Sequence, residues 1–426
     1  MKYFFYFLFL IGSLYSCSPT ETPSEKTTIE PIDHFTLDST LHLDDRFKSI
    51  QLIDSPEQTP ILHLMDNAQT YCRINLNNGK TDTSFNTQKL LGKLKAFTAI
   101  TNDSVVFFTQ DNRGILWSNN NILKPFFEFN ISDFIAYTKG KQIQITPFVE
   151  SSPTILDPIR VINHHLYIPN QLGPPPNGEN ALRLNDNTLS DELKRQEKIR
   201  TDREYNRATN DLANYINDQI AYFDVLLVND SVQQIVNDFG NIPESYFGMG
   251  QETYLPLGYW KSSTLGPNNS FVVAYFKAHE ITVYNTEGTK QKEVHVPSRY
   301  IKSFSTLKLA EFQEKFQERI VTEPIYGGIY FDPYRNLYYR VAVHRQPFYK
   351  DEARGLKNTE KDRNWSLMVM NADFELLEEY SFPPNTYMWT SMFVGSKGLY
   401  IKRLKATDNC TVFDIFDLSP ETHAQH

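Results

Sequence analysis

The chain contains little cysteine and no excess of positive charge. Only three of its 426 residues are cysteines, Cys17, Cys72 and Cys410. The sequence therefore lacks the disulfide framework that stabilises small secreted domains. Lysine and arginine total 42 against 51 aspartate and glutamate residues, which gives a formal net charge of -9. Because nucleic-acid binding normally needs clustered cations, no nucleic-acid partner is expected.

Several catalytic and metal-binding motifs are also missing. The sequence has no Gly-x-Ser-x-Gly and no Walker loop, which excludes the easily recognised hydrolases and NTPases. It has no His-x-x-x-His, Cys-x-x-Cys or acidic calcium loop. His164 and His165 are adjacent, and neighbouring strand residues point to opposite faces, so the two cannot chelate one ion together. We predict no metal, no cofactor and no catalytic residue set.

Long apolar runs are absent apart from one at the amino terminus. Lys2 precedes the apolar run from Tyr3 to Leu14, which is too short to span a bilayer of about 30 Å but suits a signal peptide. The run ends at Leu14-Tyr15-Ser16-Cys17, which resembles the lipobox of bacterial lipoproteins. We therefore predict a signal peptide over residues 1–16 and lipid on Cys17. Ordinary secretory cleavage beside a coincidental cysteine is the alternative.

Residues 17–32 are predicted to be a flexible tether. The stretch from Ser18 to Thr28 is rich in Pro, Ser and Thr and has no large apolar side chain, so it cannot form a core. Lipid on Cys17 would make the membrane a partner and place the chain in the cell envelope. Only two acidic residues, Glu21 and Glu25, follow the cysteine closely, so the sequence does not decide between the periplasmic face and the cell surface.

A strand motif recurs through the rest of the chain. Phenylalanine (30) and tyrosine (24) are abundant, which favours strands because bulky rings fit a pleated surface. Six copies combine a turn with an apolar or aromatic strand, namely Ile61–Asp66, Asn102–Phe108, Asn163–Ile168, Asn268–Val273, Arg335–Tyr339 and Lys397–Ile401. A second strand follows each copy, as at Cys72–Gly79 and Ile281–Gly288. Asn and Gly in the connecting turns favour hairpins because they accept positive φ.

These units predict an all-β fold over residues 33–420. Antiparallel repeats about 45 to 60 residues apart indicate a β-propeller of six four-stranded blades. The last unit, near Leu418, lacks an obvious outer strand, and the early strand-like piece Phe35–Leu43 can complete it and close the ring. Seven blades or a two-sheet sandwich are the alternatives.

Two helical insertions are predicted within the propeller. The stretch at about 189–219 is highly charged with sparse apolar positions, which indicates an exposed helix or excursion in the third blade. The stretch at about 306–321 places Leu309, Phe312, Phe316 and Ile320 on one helical face, and Pro324 ends the helix.

Candidate ligand-binding residues lie on one strand and one loop. Tyr338, Arg340 and His344 occupy alternate positions and could line the central channel together, although a satisfied polar strand face is the plainer interpretation. The proline-rich loop from Pro169 to Asn180 offers the amides of Asn170 and Asn177, as a recognition loop would; a simple connecting loop is the alternative. Cys72 and Cys410 are expected to be separate buried thiols; a disulfide between them is the alternative.

The chain resembles a family of uncharacterised Bacteroidetes lipoproteins. The resemblance is carried by the lipobox, by the segments Asn-Leu-Tyr-Tyr-Arg and Lys-Gly-Leu-Tyr-Ile-Lys, and by Tyr-Met-Trp-Thr-Ser-Met at 387–392. The resemblance implies a TolB-like or NHL-like six-bladed propeller and carries no activity or catalytic residues. We expect a membrane-tethered binding or scaffold module for a protein, peptide or glycan, without enzyme activity. The alternative is a propeller enzyme of the lyase, lactonase or glycosidase type with its site at the channel.

Overall fold

Six four-stranded antiparallel sheets make up the body of the protein, which is an all-β propeller of six blades. The computed structural model describes residues 29–37, 41, 43, 46–55, 58–109, 113–118, 122–128, 156–170, 190–192, 194–196, 198–199, 202–203, 220–228, 231–243, 245–246, 253–254, 260–308, 312–405 and 410–419. Cys17 and Asn177 lie outside these residues. The predicted six-bladed fold is confirmed.

The first three blades come from the amino-terminal half of the chain. Blade one contains β2 (Phe47–Ser55), β3 (Gln58–Asp66), β4 (Thr70–Asn75) and β5 (Thr81–Asn86). Blade two contains β6 (Leu94–Thr101), β7 (Ser104–Thr109), β8 (Arg113–Ser118) and β9 (Ile122–Glu128). Blade three contains β10 (Arg160–Ile162), β11 (His165–Pro169), β12 (Ile220–Val228) and β13 (Ser231–Asn241).

The other three blades follow in order. Blade four contains β15 (Lys261–Leu265), β16 (Phe271–Tyr275), β17 (Glu280–Tyr284) and β18 (Lys290–His295). Blade five contains β20 (Ile325–Asp332), β21 (Leu337–Val343), β24 (Trp365–Met370) and β25 (Leu376–Phe382). Blade six contains β26 (Tyr387–Gly395), β27 (Gly398–Arg403), β28 (Val412–Phe416) and the amino-terminal β1 (Asp33–Thr36).

The first strand of each blade is the innermost strand of the ring. Strand β2 contacts β6 on one side and β26 on the other, and β20 contacts both β26 and β15. Strand β10 contacts β6, and Arg160 of β10 donates to Ser263 of β15. The six inner strands therefore follow one another around the axis in chain order, as repetition of one blade unit requires.

Strand β1 closes the ring by pairing antiparallel with β28, with Phe35 opposite Phe413. The amino-terminal strand thus completes the last blade, as the sequence predicts. This pairing covers the backbone edge that β28 would otherwise expose. Phe35 also packs edge-on against Tyr400 of β27, with ring centroids 6.3 Å apart.

Turn residues explain the repeated hairpins. Asn163 and His164 between β10 and β11, Asn268 and Asn269 between β15 and β16, and Asn336 between β20 and β21 all have positive φ. Asparagine reaches this region at lower cost than other non-glycine residues. The turn-plus-strand repeats seen in the sequence are the second strands of the six blades.

Aromatic and aliphatic side chains fill the spaces between neighbouring blades. Between blades three and four, Tyr167, Tyr222, Phe239 and Phe271 form one cluster. A second cluster joins blades four and five and includes Val272, Ile281, Tyr326 and Tyr338. Because each blade hides its apolar faces against its neighbours, no blade has a separate core.

The remaining elements are short helices and two small sheets. Helix α1 spans Thr87–Leu91, and helix α2 spans Phe312–Thr322. Strands β14 (Thr253–Tyr254) and β19 (Leu307–Lys308) pair with each other, as do β22 (Tyr349–Asp351) and β23 (Leu356–Lys357). The helix predicted over about 306–321 therefore begins later, since Leu307 and Lys308 form a strand instead. The described residues between Asp191 and Arg203 are helical and largely exposed.

Cys72 and Cys410 do not form a disulfide with each other. Cys72 is buried in blade one, and burial raises its pKa to about 11. Cys410 is half-buried rather than fully buried as the sequence suggested. Within the described part of the chain, no helix is long and apolar enough to cross a membrane.

Candidate functional site

One end of each blade carries the long connections, and we call it the upper end. Strands alternate in direction, so the start of the first strand, the end of the second and the start of the third all lie at this end. The long excursion of blade three, between Pro169 and Ile220, therefore leaves and returns there. The excursion of blade five between Val343 and Trp365, which contains the β22–β23 hairpin, does the same.

A buried polar cluster joins the upper ends of blades three and four, and we call it the Asp157 cluster. Nζ of Lys261 lies 2.8 Å from Oδ2 of Asp157. The hydroxyls of Tyr222 and Ser263 each donate to Oδ1 of Asp157 at 2.6 Å. All four side chains are 5 % exposed or less. Asp157 is thus satisfied by one cation and two hydroxyl donors in a site without solvent.

Backbone carbonyls and a second cation complete the Asp157 cluster. Lys261 also donates to the carbonyl of Asn170 at 2.9 Å and lies 4.8 Å from the centre of the Tyr222 ring. Arg160 donates to the hydroxyl and the carbonyl of Ser263. Burial and the nearby Asp157 carboxylate raise the pKa of Tyr222 well above its usual value. Tyr222 therefore stays protonated and donates to Asp157.

A second polar network lies at the upper ends of blades four and five. The buried carboxylate of Glu323 binds Arg319 at 2.7 Å and Arg345 at 3.2 Å. Lys277, also buried, donates to the carbonyl of Pro324 at 2.6 Å. Burial lowers the pKa of Lys277 to about 7. Buried Arg363 donates to the carbonyls of Ile320, Glu323 and His344. These bonds fasten the end of α2 to blade five.

Tyr338 and Arg340 do not line the central channel. Both lie on β21, the second strand of blade five, and pack against blade four. Arg340 is fully buried, donates to the carbonyls of Tyr275, Ala278 and His279, and lies over the Tyr326 ring. The Tyr338 ring stacks on Phe374 at 4.5 Å. The expected position was wrong because the face of β21 that carries these residues is covered by the neighbouring blade.

The other predicted site residues are separated from one another. His344 follows β21, stacks on Tyr300 at 4.2 Å and shares a hydrogen bond with Ser366 at 3.0 Å. Asn170 is buried at the Asp157 cluster, where its carbonyl accepts from Lys261. Their roles in ligand binding stay predictions, as does that of Asn177, which lies outside the described residues.

Sequence reasoning missed Asp157, Lys261 and Glu323. None belongs to a motif, and Asp157 and Lys261 stand in different repeat units, far apart in the chain. Glu323 has one partner nearby, Arg319, and another at Arg345. The only signal was the polar run Lys261-Ser262-Ser263-Thr264 at a place where the repeat predicts a strand. A lysine at the start of an inner strand needs a buried partner, but the sequence does not say which carboxylate supplies it.

Five of the buried carboxylates are each engaged by several donors, and buried Asp224 pairs with His165 at 2.7 Å. Asp157, Glu323, Asp332, Glu379 and Asp414 each accept hydrogen bonds from at least two groups. A general base needs a carboxylate with a free acceptor position beside the substrate. Within the described ranges, no group of three His, Cys, Asp or Glu side chains is arranged to hold a metal ion.

Part of the chain is similar to a family of unknown function. Residues 177–381 match the model of a family described as "Domain of unknown function (DUF4221)". The match is to DUF4221. It runs from the excursion of blade three almost to the end of blade five and includes Tyr222, Lys261 and Ser263, whereas Asp157 lies before it. No curated protein matches the chain.

Two solved structures show similarity over most of the chain. A DUF4221 family member from Bacteroides vulgatus is 17 % identical, with a TM-score of 0.63 over 92 % of this chain and 98 % of that one. A virginiamycin B lyase from Staphylococcus aureus is 10 % identical, with a TM-score of 0.39 over 90 % of this chain and 99 % of that one. The DUF4221 structure supports the six-bladed fold. The similarity to the lyase is too low to indicate a shared function.

Proposed function

We propose that this chain is a lipid-tethered binding module of the cell envelope that receives its ligand at the upper end of the propeller. The observation that carries the proposal is the Asp157 cluster, in which the carboxylate is fully engaged by Lys261, Tyr222 and Ser263. Such a cluster cannot supply a free base, but it fixes the roots of the loops above it. Rigid roots favour binding because less conformational entropy is lost when a ligand is held.

The tether supports the cellular part of the proposal. The sequence Leu14-Tyr15-Ser16-Cys17 has the form of a lipidation signal, and Pro, Ser and Thr follow it. When the full chain is expressed in bacteria fed a labelled fatty acid, the protein should incorporate the label, and Cys17→Ala should abolish incorporation. The control is Cys410→Ala, which should remain labelled. Equal labelling of both variants, or no labelling of the wild type, would overturn lipid anchoring through Cys17.

A ligand screen with paired tyrosine variants tests the binding role. Tyr349, on the β22–β23 hairpin at the upper end, is 39 % exposed, and Tyr334, in the turn at the opposite end of blade five, is 46 % exposed. The purified full chain is screened against peptide and glycan arrays, and each hit is measured again with Tyr349→Ala and Tyr334→Ala. We expect hits that weaken with Tyr349→Ala only. Hits that depend on Tyr334 alone would place binding at the wrong end.

The enzyme alternative needs a different outcome. If the chain turns over a lyase, lactonase or glycosidase substrate, and Asp157→Asn abolishes that turnover while the chain stays folded, the proposal is wrong. The proposal is also wrong if no peptide or glycan on the arrays binds the full chain.

A further inference from the structure

The amino-terminal strand β1 enters the ring at the lower end, opposite the upper end. In blade six, β26 runs from the upper to the lower end and the strands that follow alternate in direction, so β1 begins at the lower end and runs upwards. Nζ of Lys397, in the lower turn between β26 and β27, lies 3.3 Å from Oδ2 of Asp33 at the start of β1. The chain that precedes β1 therefore reaches the ring on its lower side.

The described residues before β1 stay beside blade six. The backbone N–H of Ile32 donates to the carbonyl of Ile415 at 2.8 Å. Ile29 packs against the apolar core between blades five and six. Because Ile29 stands only four positions before Asp33, covalent geometry keeps it within about 14 Å of the start of β1. The first described residue of the chain therefore lies near the point where β1 begins.

The sequence between Cys17 and Ile29 is short compared with the height of the ring. A chain of about 12 residues spans at most about 40 Å when fully extended and about 20 Å on average when it is flexible. The nine-residue strand β2, which runs from the upper to the lower end, is about 30 Å long. A lipid on Cys17 would reach a membrane at the upper end only with the tether stretched along most of that height, which costs conformational entropy.

The features that support binding lie at the other end. The Asp157 cluster joins blades three and four at their upper ends, and the β22–β23 hairpin with exposed Tyr349 and Leu356 belongs to the upper excursion of blade five. A lower end held towards the membrane leaves these features open to the aqueous space.

We propose that the lipidated chain is oriented with its lower end towards the membrane and its upper end towards the aqueous space. This inference rests on the proposed lipid at Cys17 and adds the direction from which the ligand arrives. The upper end then meets a water-soluble peptide or glycan and not a membrane lipid. The lower turns, with exposed residues such as Asn77 and Asp373, face the lipid headgroups.

Fluorescence energy transfer to labelled lipid tests the orientation. The lipidated full chain, with Cys410→Ser to remove the half-buried thiol, is bound to phosphatidylcholine vesicles whose outer leaflet carries rhodamine-labelled phosphatidylethanolamine. A donor dye is attached to one introduced cysteine at a time. In blade one the lower label is at Asn77→Cys and the upper label, on α1, at Lys89→Cys; in blade five they are at Asp373→Cys and Arg354→Cys. All four positions have exposed side chains.

The two labels of each pair differ mainly in height. We expect transfer at least about twofold greater from positions 77 and 373 than from positions 89 and 354, because the two ends of the ring are about 30 Å apart. Equal transfer from both ends, or greater transfer from the upper labels, would overturn the proposed orientation.

A longer tether tests the cause of the orientation. A second copy of residues 18–28 inserted after the first raises the average span of the tether to about 26 Å, so the difference between upper and lower labels should shrink. A difference that persists unchanged would show that the tether does not set the orientation. If the chain incorporates no labelled fatty acid, the proposed anchoring fails and the orientation with it. A chain that carries the lipid but shows no preference for either end overturns the orientation alone.

Discussion

Lys261 and Asp157 form a buried ion pair across the boundary between blades three and four, with Nζ of the lysine 2.8 Å from Oδ2 of the aspartate. The lysine begins the inner strand of blade four, and the aspartate precedes the inner strand of blade three. The pair therefore fixes the angle between two neighbouring blades at their upper ends. Both side chains are 5 % exposed, so solvent does not screen their attraction.

Asp157→Asn is expected to lower the free energy of unfolding by about 3 kcal/mol, because it leaves the Lys261 ammonium buried without its counter-charge. Urea unfolding followed by circular dichroism measures the change. The control is Asp373→Asn, which removes an exposed partner of Lys292 and should cost less than about 1 kcal/mol. Equal effects in both variants would show that the buried pair does not support the blade boundary.

Phe35→Ala tests closure of the ring. Phe35 is buried between β28 and Tyr400, and removal of a buried phenylalanine ring costs about 3 to 5 kcal/mol. We expect a loss of that size in the free energy of unfolding measured by urea titration. Ile32→Ala, just before the same strand and 58 % exposed, should change it by less than about 0.5 kcal/mol. A small effect of Phe35→Ala would mean that β1 is dispensable for closure.

Gly398→Ala, compared with Gly92→Ala, tests how much a steric clash adds to the cost of a positive φ in the turn between β26 and β27. Gly398 has φ +147°, and a Cβ there would lie 2.2 Å from the carbonyl oxygen of Phe416. Gly92 also has positive φ, +77°, but a Cβ there would meet no heavy atom within 4 Å. Alanine at position 92 should cost only the conformational term of about 1 kcal/mol, and alanine at position 398 clearly more. Equal losses in thermal unfolding would show that the turn relaxes around the added methyl group.

Lys277 predicts a pH dependence of stability near neutrality. Burial lowers the pKa of Lys277 from 10.5 to about 7 in the folded chain. Between these two pH values the unfolded chain binds more protons than the folded chain, so this group makes the folded state more stable as the pH rises. From pH 7.0 to 8.5 the wild type should gain about 1.5 kcal/mol relative to Lys277→Met.

Urea unfolding of both chains at several pH values between 7.0 and 8.5 gives that difference. The charged neighbours of Lys277 are Glu323, Arg319, Arg345 and Arg363. Neither Glu323, whose pKa is lowered from 4.5, nor Arg363, with a pKa of about 10, titrates substantially in this range. Parallel pH profiles for wild type and Lys277→Met would contradict the assignment.

Local patterns predict much of the fold. The six turn-plus-strand copies became second strands because alternating apolar residues between Asn-containing turns form hairpins irrespective of their surroundings. Closure by Phe35 was predictable because the final unit lacked a strand. The helix predicted over about 306–321 begins later in the chain than expected, because Leu307 and Lys308 pair with Thr253 and Tyr254. Local periodicity cannot predict this long-range pairing.

The candidate site was much harder to predict. Alternation placed Tyr338 and Arg340 on one strand face as expected, but period-two spacing cannot distinguish a face that lines a channel from a face covered by the next blade. Arg340 is an example: its guanidinium donates to carbonyls of blade four. The sequence predicts a ligand-binding role for the side-chain amide of Asn170, whereas the structure shows that its backbone carbonyl accepts a hydrogen bond from Lys261.

The sequence by itself determined the lipobox-like start, the all-β class, the number of blades and the strand that closes the ring, because these depend on contacts between residues close in the chain or on a repeated pattern. Only the tertiary structure decided that Lys261 meets Asp157 and that Arg340 is covered by the neighbouring blade. Those relationships join different blades, and the partner of a buried charge or donor is set by how the blades pack around the axis.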